Sequence, residues 1–158
     1  MKTGIIVYSK TGHTLLAGQK LLETLRSRGK DAELLEVKAE SDQAGSAQAK
    51  KMPEKMLLTV RPSPEAYQEL VFASPVWGFS LSGVMKDYLS GLPSLKGKKV
   101  RLFVTHQLPL PWMGGNAAIR QMKKLCEDKG GEVVSSAVIS WNEKRRERDL
   151  ADMTGRLA

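Results

Sequence analysis

Hydroxyl side chains are concentrated in the segment Ser9-Lys10-Thr11-Gly12-His13-Thr14, directly after an apolar run of residues. Three hydroxyls, the backbone N–H groups of a glycine-containing turn and the positive end of a following helix together provide what a phosphate group requires. The segment differs from the loops that bind nucleoside triphosphates and dinucleotides, because it holds only one glycine. It therefore favours a phosphate monoester held mainly by hydrogen bonds, with helix capping by Thr11 or Thr14 as the simpler alternative. His13 would donate to the phosphate or face solvent.

Two aromatic residues occupy a later loop, although a loop at the end of a strand is expected to be polar. This loop spans residues 74–82 and begins Ser74-Pro75-Val76-Trp77-Gly78-Phe79. A flat apolar ligand would explain the pair, since Trp77 or Phe79 can lie against an aromatic ring system while the backbone of residues 75–79 reaches its polar edge. The alternative is that one of the two rings folds back over the core.

A third segment, residues 106–115, again combines an aromatic side chain with glycines. Trp112 would cover the other face of the ligand or mark a partner-binding patch. His106 would hydrogen-bond the ligand, a substrate or the neighbouring backbone. The three segments together thus offer donors for a phosphate and aromatic surfaces for a flat ring.

Alternating strands and helices must position these segments. Apolar runs predict strands at 3–8, 32–37, 70–73, 100–105 and 132–139. Helical spacing predicts helices at 14–28, 82–89, 116–129 and 143–157, with at most a short helix near 47–57. This order predicts an α/β fold, a three-layer α/β/α sandwich on a parallel sheet, with the more polar strand 32–37 at an edge. Because such sheets bind ligands beyond the carboxyl ends of their strands, the three segments should meet there.

Length and composition limit the class of protein. The chain has 158 residues, which fits a single domain over 1–158, and 41% of them are hydrophobic. Cys126 is the only cysteine and there are two histidines, so the sequence predicts neither an internal disulfide nor a metal site. No apolar run has the length of a signal peptide core or a membrane span, so we expect a cytoplasmic protein without a membrane partner.

The formal net charge is +8, and most of the excess lies in residues 80–158, which hold 14 basic and 8 acidic side chains. Clusters at 96–101 and 144–148 indicate an acidic partner or a nucleic acid, or else simply solvated faces. Aromatic residues do not interleave with these clusters as binding of a single strand would require. We therefore expect no nucleic-acid partner.

Three motifs in order resemble the flavodoxin family. Residues 8–14, Tyr-Ser-Lys-Thr-Gly-His-Thr, are similar to its Ser/Thr-x-Thr-Gly-x-Thr phosphate loop. Residues 70–78, Leu-Val-Phe-Ala-Ser-Pro-Val-Trp-Gly, and the run 97–105 follow at the expected strand ends. The resemblance extends from residue 3 to about residue 139 and fits the short-chain form, since no long insertion splits the fifth strand. The chain departs from the family pattern at His13, where asparagine is common, at residues 68–69, and in its basic charge.

The resemblance implies a non-covalently bound FMN and a five-stranded parallel sheet of order 2-1-3-4-5. Carried over by position, the FMN phosphate would be held by Ser9, Lys10, Thr11, Gly12, His13 and Thr14. The isoalloxazine ring would be lined by Ser74, Pro75, Val76, Trp77, Gly78 and Phe79. The pocket would be closed by His106, Gln107 and Trp112. Gly78 would also allow a backbone carbonyl to turn toward flavin N5.

The same resemblance implies an FMN-dependent oxidoreductase or electron-transfer protein, in which the flavin moves the electrons and no side chain is assigned as catalytic. Its partner would be a redox protein, acidic in view of the basic surface, or NAD(P)H, and a homodimer is left open. Two alternatives remain: an NAD(P)H-dependent reductase of quinones or other small acceptors, and a flavodoxin-like interaction module that has lost its cofactor. The basic surface also predicts a less negative reduction potential for the flavin than in acidic relatives.

Overall fold

The computed structural model describes residues 1–40, 58–107 and 114–158. Within these ranges the strands are β1 (Lys2–Tyr8), β2 (Asp31–Ala39), β3 (Leu58–Val60), β4 (Glu69–Trp77), β5 (Ser80–Leu81), β6 (Lys99–His106) and β7 (Glu132–Ser140). The helices are α1 (His13–Ser27), α2 (Gly83–Ser90), α3 (Gly115–Asp128) and α4 (Arg146–Leu157). The short helix predicted near 47–57 lies outside the described residues.

The strands form one mostly parallel sheet. Its order is β3-β2-β1-β4-β6-β7, and β5 pairs only with β4. The α/β architecture is therefore confirmed, whereas the prediction of five strands in the order 2-1-3-4-5 is corrected to seven strands among the described residues. Two short antiparallel strands make the difference: β3 adds to β2, and β5 folds back on β4, while β2, β1, β4, β6 and β7 pair in parallel. Among the described residues, β3 pairs with β2 only at Lys38 and Ala39, so the stretch 32–37 keeps its predicted edge position.

Helices cover both faces of the sheet, so the three-layer prediction is correct. Alternate residues of β1 enter different cores: Ile5 and Val7 pack with α1 and α4, and Ile6 and Tyr8 pack with the α2 and α3 side. All four side chains are fully buried. A strand buried on both faces reads as a continuous apolar run, which is why β1 was recognisable in the sequence.

The strand β4 runs further than predicted. Residues 75–77 belong to the strand and not to a loop, and β4 turns directly into β5, with Trp77 opposite Ser80. The two residues at the tip, Gly78 and Phe79, have φ of 55° and 65°. A two-residue hairpin of type I′ has positive φ at both central positions, and glycine adopts this conformation without strain. The apolar run alone does not reveal this local reversal.

Candidate functional site

The loop after β1 leaves the start of α1 without a side-chain cap. Gly12 is the N-cap residue, with φ of 95°, and no side chain caps the helix. The Gly12 N–H donates instead to the Ser9 hydroxyl at 3.1 Å. Thr11 is exposed, and the space beside Gly12 where a Cβ would stand is open. The alternative that Thr11 or Thr14 merely caps the helix is therefore wrong, and the loop keeps hydroxyl and N–H groups near the positive end of α1.

Thr14 lies below this loop and faces inward. Its side chain is 1% exposed, and its hydroxyl oxygen lies 2.7 Å from that of Thr105 near the end of β6. The pair connects the first segment to the third across the sheet. Its geometry indicates that Thr14 positions the loop, and the direct phosphate contact stays a prediction.

Ser74 is also buried and has structural partners. Its hydroxyl lies 2.8 Å from that of Ser82 and donates to the Pro75 carbonyl oxygen. Ser82 in turn caps α2 by accepting from the Met85 N–H at 3.2 Å. These bonds hold the end of β4 against the start of α2, so Ser74 supports the aromatic hairpin that follows it.

Trp77 brings the first two segments together. Its ring meets the ring of Tyr8 edge to face, with centroids 5.6 Å apart, and the Lys10 ammonium lies 5.8 Å from its centroid. The indole is half-buried against the α2 and α3 core. Trp77 thus packs partly on the core, as the alternative predicted, while its other contacts face the phosphate loop.

Phe79 does not fold back over the core, because its side chain is 62% exposed. Its hairpin is held from the side by α3, where the Gln121 amide oxygen accepts from the Ser80 hydroxyl at 3.0 Å and from the Leu81 N–H at 2.9 Å. Gly114, at the end of the third segment, approaches so closely that a Cβ there would stand 2.6 Å from the Phe79 Cα. The second and third segments are therefore in direct contact.

The ring of His106 is buried at the end of β6. It is 5% exposed, and neither ring nitrogen has a hydrogen-bond partner among the residues that the structure describes. Burial lowers its pKa below the ordinary value, Asp149 acts in the opposite direction, and Arg145 adds to the lowering. A buried imidazole without a hydrogen bond is costly, which marks this ring as a candidate ligand contact. Gln107 beside it is exposed, and Trp112 lies outside the described residues.

Trp141 also lies at the carboxyl ends of the parallel strands, and the sequence pattern was not used to predict it as a site residue. It follows β7 directly, its backbone N–H donates to the His106 carbonyl oxygen at 2.7 Å, and its ring stacks on His13 with centroids 4.6 Å apart and planes 13° from parallel. His13 therefore does not simply face solvent. The signal was available, because an aromatic residue at the carboxyl end of the fifth parallel strand satisfies the rule that selected the other loops.

These residues fit a flat ring that carries a phosphate. The carboxyl end of the sheet holds the uncapped start of α1 behind a hydroxyl-rich turn and the half-buried indole of Trp77. It also holds the buried imidazole of His106, whose nitrogens have no partner among the described residues. FMN matches these side chains, because it carries a flat aromatic ring system and a phosphate in one molecule. The donor set contains hydroxyl, amide and aromatic groups, which suit such a ligand better than a bare metal ion.

No family model matches the sequence, and no curated protein matches it. Solved structures do. A putative flavoprotein from Bacteroides uniformis superposes with a TM-score of 0.67 at 15% identity, covering 96% of this chain and 97% of that one. Oxidised flavodoxin 2 from Bacillus cereus gives 0.67 at 17%, over 98% and 95%. A flavoprotein from Lactobacillus acidophilus, solved in complex with FMN, gives 0.58 at 22%, over 87% and 92%.

The chain therefore has a flavodoxin-like fold, as its motifs suggested. In the described parts of the chain, no helix is both long and apolar enough to cross a membrane.

Proposed function

We propose that this protein binds FMN without a covalent link and transfers electrons through it. The observation that carries the proposal is the meeting, at one edge of a flavodoxin-like sheet, of an uncapped hydroxyl loop with an aromatic hairpin: Lys10 of the loop lies over the Trp77 ring of the hairpin. FMN, when bound, supplies the ability to accept and pass on electrons. The chain's own residues bind, orient and shield it.

The phosphate would be held by the loop after β1. Ser9, Thr11 and the N–H groups at the start of α1 provide donors, and Gly12 supplies the positive φ that shapes the turn. Thr14 would keep this turn in place through its bond to Thr105. Phosphate binding by hydrogen bonds to a preorganised loop costs little ordering on association.

The isoalloxazine ring would lie against Trp77, with Phe79 at its outer rim. Gln121 and Ser82 fix the two ends of the hairpin through the bonds described above, so the backbone of residues 76–79 is presented in a defined conformation. His106 would contact the flavin or a water bound beside it, which would satisfy the ring nitrogens.

A carrier role is preferred over a reductase. The flavin edge contains no nicotinamide fingerprint, and residues 74–86 hold one charged side chain, Lys86, with Lys10 nearby. An acidic redox protein would complement these lysines. Reduction of the bound flavin by NADPH alone would instead favour the reductase.

The flavin content of the purified protein tests the proposal. We expect a flavin absorbance spectrum, loss of FMN on acid precipitation, and recovery of the spectrum when the apoprotein is titrated with FMN. The double variant Ser9→Ala/Thr11→Ala should bind FMN about tenfold more weakly, since each lost hydrogen bond contributes roughly 0.5–1.5 kcal/mol. Thr24→Ala is the matched control, because Thr24 lies further along α1 and its hydroxyl donates to the Lys20 carbonyl within the same helix. A protein that takes up no flavin would leave the interaction-module interpretation.

A further inference from the structure

Three side chains form a stack beside the phosphate loop. The imidazole of His13 stacks on the indole of Trp141, with 4.6 Å between the ring centroids. The guanidinium carbon of Arg146 lies 5.6 Å from the centroid of the same indole. The backbone N–H of Trp141 donates to the His106 carbonyl oxygen, and its side chain packs against the α1 and α4 core. The stack therefore holds a cationic side chain of α4 near His13 of the phosphate loop.

Two cationic side chains stand at the start of α4, beside the acidic Glu147 and Asp149 of its first turn. Arg145 is the N-cap residue of α4 and Arg146 is its first helical residue, where the helix dipole disfavours cations. The ion pair of Arg146 with Glu147 is long, at 3.8 Å, and Glu147 is 77% exposed, so this pair contributes little. Arg146 is half-buried all the same. Positive charge gathered at two neighbouring helix starts would be offset by a bound anion.

We propose that His13, Trp141 and Arg146 form a cationic clamp, in which Trp141 holds the Arg146 guanidinium toward the phosphate monoester of the bound flavin. The inference rests on the proposed function and adds to it a charged phosphate contact from the start of α4. The hydroxyl loop supplies the neutral donors, and the clamp supplies the charge. A guanidinium suits this role because its donors match a phosphate in a bidentate way.

The environment of His13 agrees with this arrangement. Burial lowers its pKa, and the positive charge of Arg146 lowers it further. A phosphate dianion beside His13 would act in the opposite direction and raise this pKa. His13 is then a positioning residue that stacks on Trp141 and becomes a better donor once the phosphate is present.

The test compares FMN with riboflavin, which is the same flavin without the phosphate. Dissociation constants are measured by flavin fluorescence quenching for the wild type, Arg146→Gln and Trp141→Leu, at low and high salt. We expect both variants to bind FMN about tenfold more weakly, as for loss of one charge-assisted hydrogen bond, and to bind riboflavin as the wild type does. The salt dependence of FMN binding should also decrease. Arg148→Gln is the matched control, because Arg148 is exposed on the same helix.

Each outcome decides. Equal weakening of FMN and riboflavin, or unchanged FMN binding by Arg146→Gln, overturns the clamp and leaves the proposed function standing. A wild type that binds neither flavin overturns the proposed function itself. Trp141→Phe keeps a stacking ring, so it should retain most of the discrimination, and thermal unfolding of every variant separates a binding defect from a folding defect.

Discussion

The hydroxyl oxygens of Thr14 and Thr105 lie 2.7 Å apart in the buried interior, where they join the first turn of α1 to the end of β6. Replacing one partner leaves the other hydroxyl buried and unsatisfied. Thr14→Val or Thr105→Val should each lower the free energy of unfolding by about 1–3 kcal/mol. The double variant should lose less than the sum of the two, because neither hydroxyl is then orphaned. Urea unfolding of the wild type, the two single variants and the double variant measures the four free energies of unfolding. Strict additivity of the losses would show that the two hydroxyls act independently.

The hairpin tip predicts two substitutions with opposite effects. Phe79 has φ of 65° and is 62% exposed, so its side chain packs little while its backbone is strained. Phe79→Gly should stabilise the fold by roughly 0.5–1 kcal/mol, since a Gly-Gly pair suits a two-residue turn. Gly78→Ala should destabilise it by a similar amount, although the added Cβ meets no atom within 4 Å. Thermal unfolding decides, and stabilisation by both changes would contradict the strain argument.

Acid should destabilise the apoprotein through its two histidines. The pKa of His13 is lowered by burial and by Arg146, and that of His106 by burial and Arg145, with Asp149 opposing. In the unfolded chain the two histidines take up protons at about pH 6.5, whereas in the folded chain they do so only at lower pH. The free energy of unfolding should therefore fall between pH 7 and pH 5.

Urea midpoints across that range check the histidine prediction. His106→Asn should show a shallower decline than the wild type, because one of the two groups is removed. A stability that rises on acidification would mean that the folded state binds the protons more tightly than the unfolded chain does.

The positive charge of Lys10 beside the hairpin should affect the reduction potential of the bound flavin. Lys10 lies over Trp77, on the side where the isoalloxazine ring is proposed to bind. A cation there favours the reduced, more negative flavin, so Lys10→Gln should make the reduction potential more negative by roughly 20 mV, as for a charge about 8 Å away in water. Redox titration of the holoprotein measures the shift, with Lys20→Gln on the outer part of α1 as the control. An equal shift in both variants would indicate a general effect of net charge.

Local pattern predicted most of the elements. The continuous run of β1, the leucine spacing of α1 and the glycine stops around α3 each place an element within a few residues of its observed bounds. The sequence pattern did not predict the two short antiparallel strands. The strand β3 comes from a separate segment and pairs with β2 only at Lys38 and Ala39, and β5 is only two residues long. Neither strand is long enough to show periodicity.

The sequence alone determined that a hydroxyl loop, an aromatic segment and a histidine-containing segment each lie near the end of a strand, because strand ends and turn residues are local properties. Only the tertiary structure decided which of these side chains meet. It set Thr14 against Thr105, Lys10 over Trp77, and Trp141 against His13. Such contacts depend on how far each helix crosses back over the twisted sheet, and this is settled by packing of the two cores, which no short stretch of residues encodes.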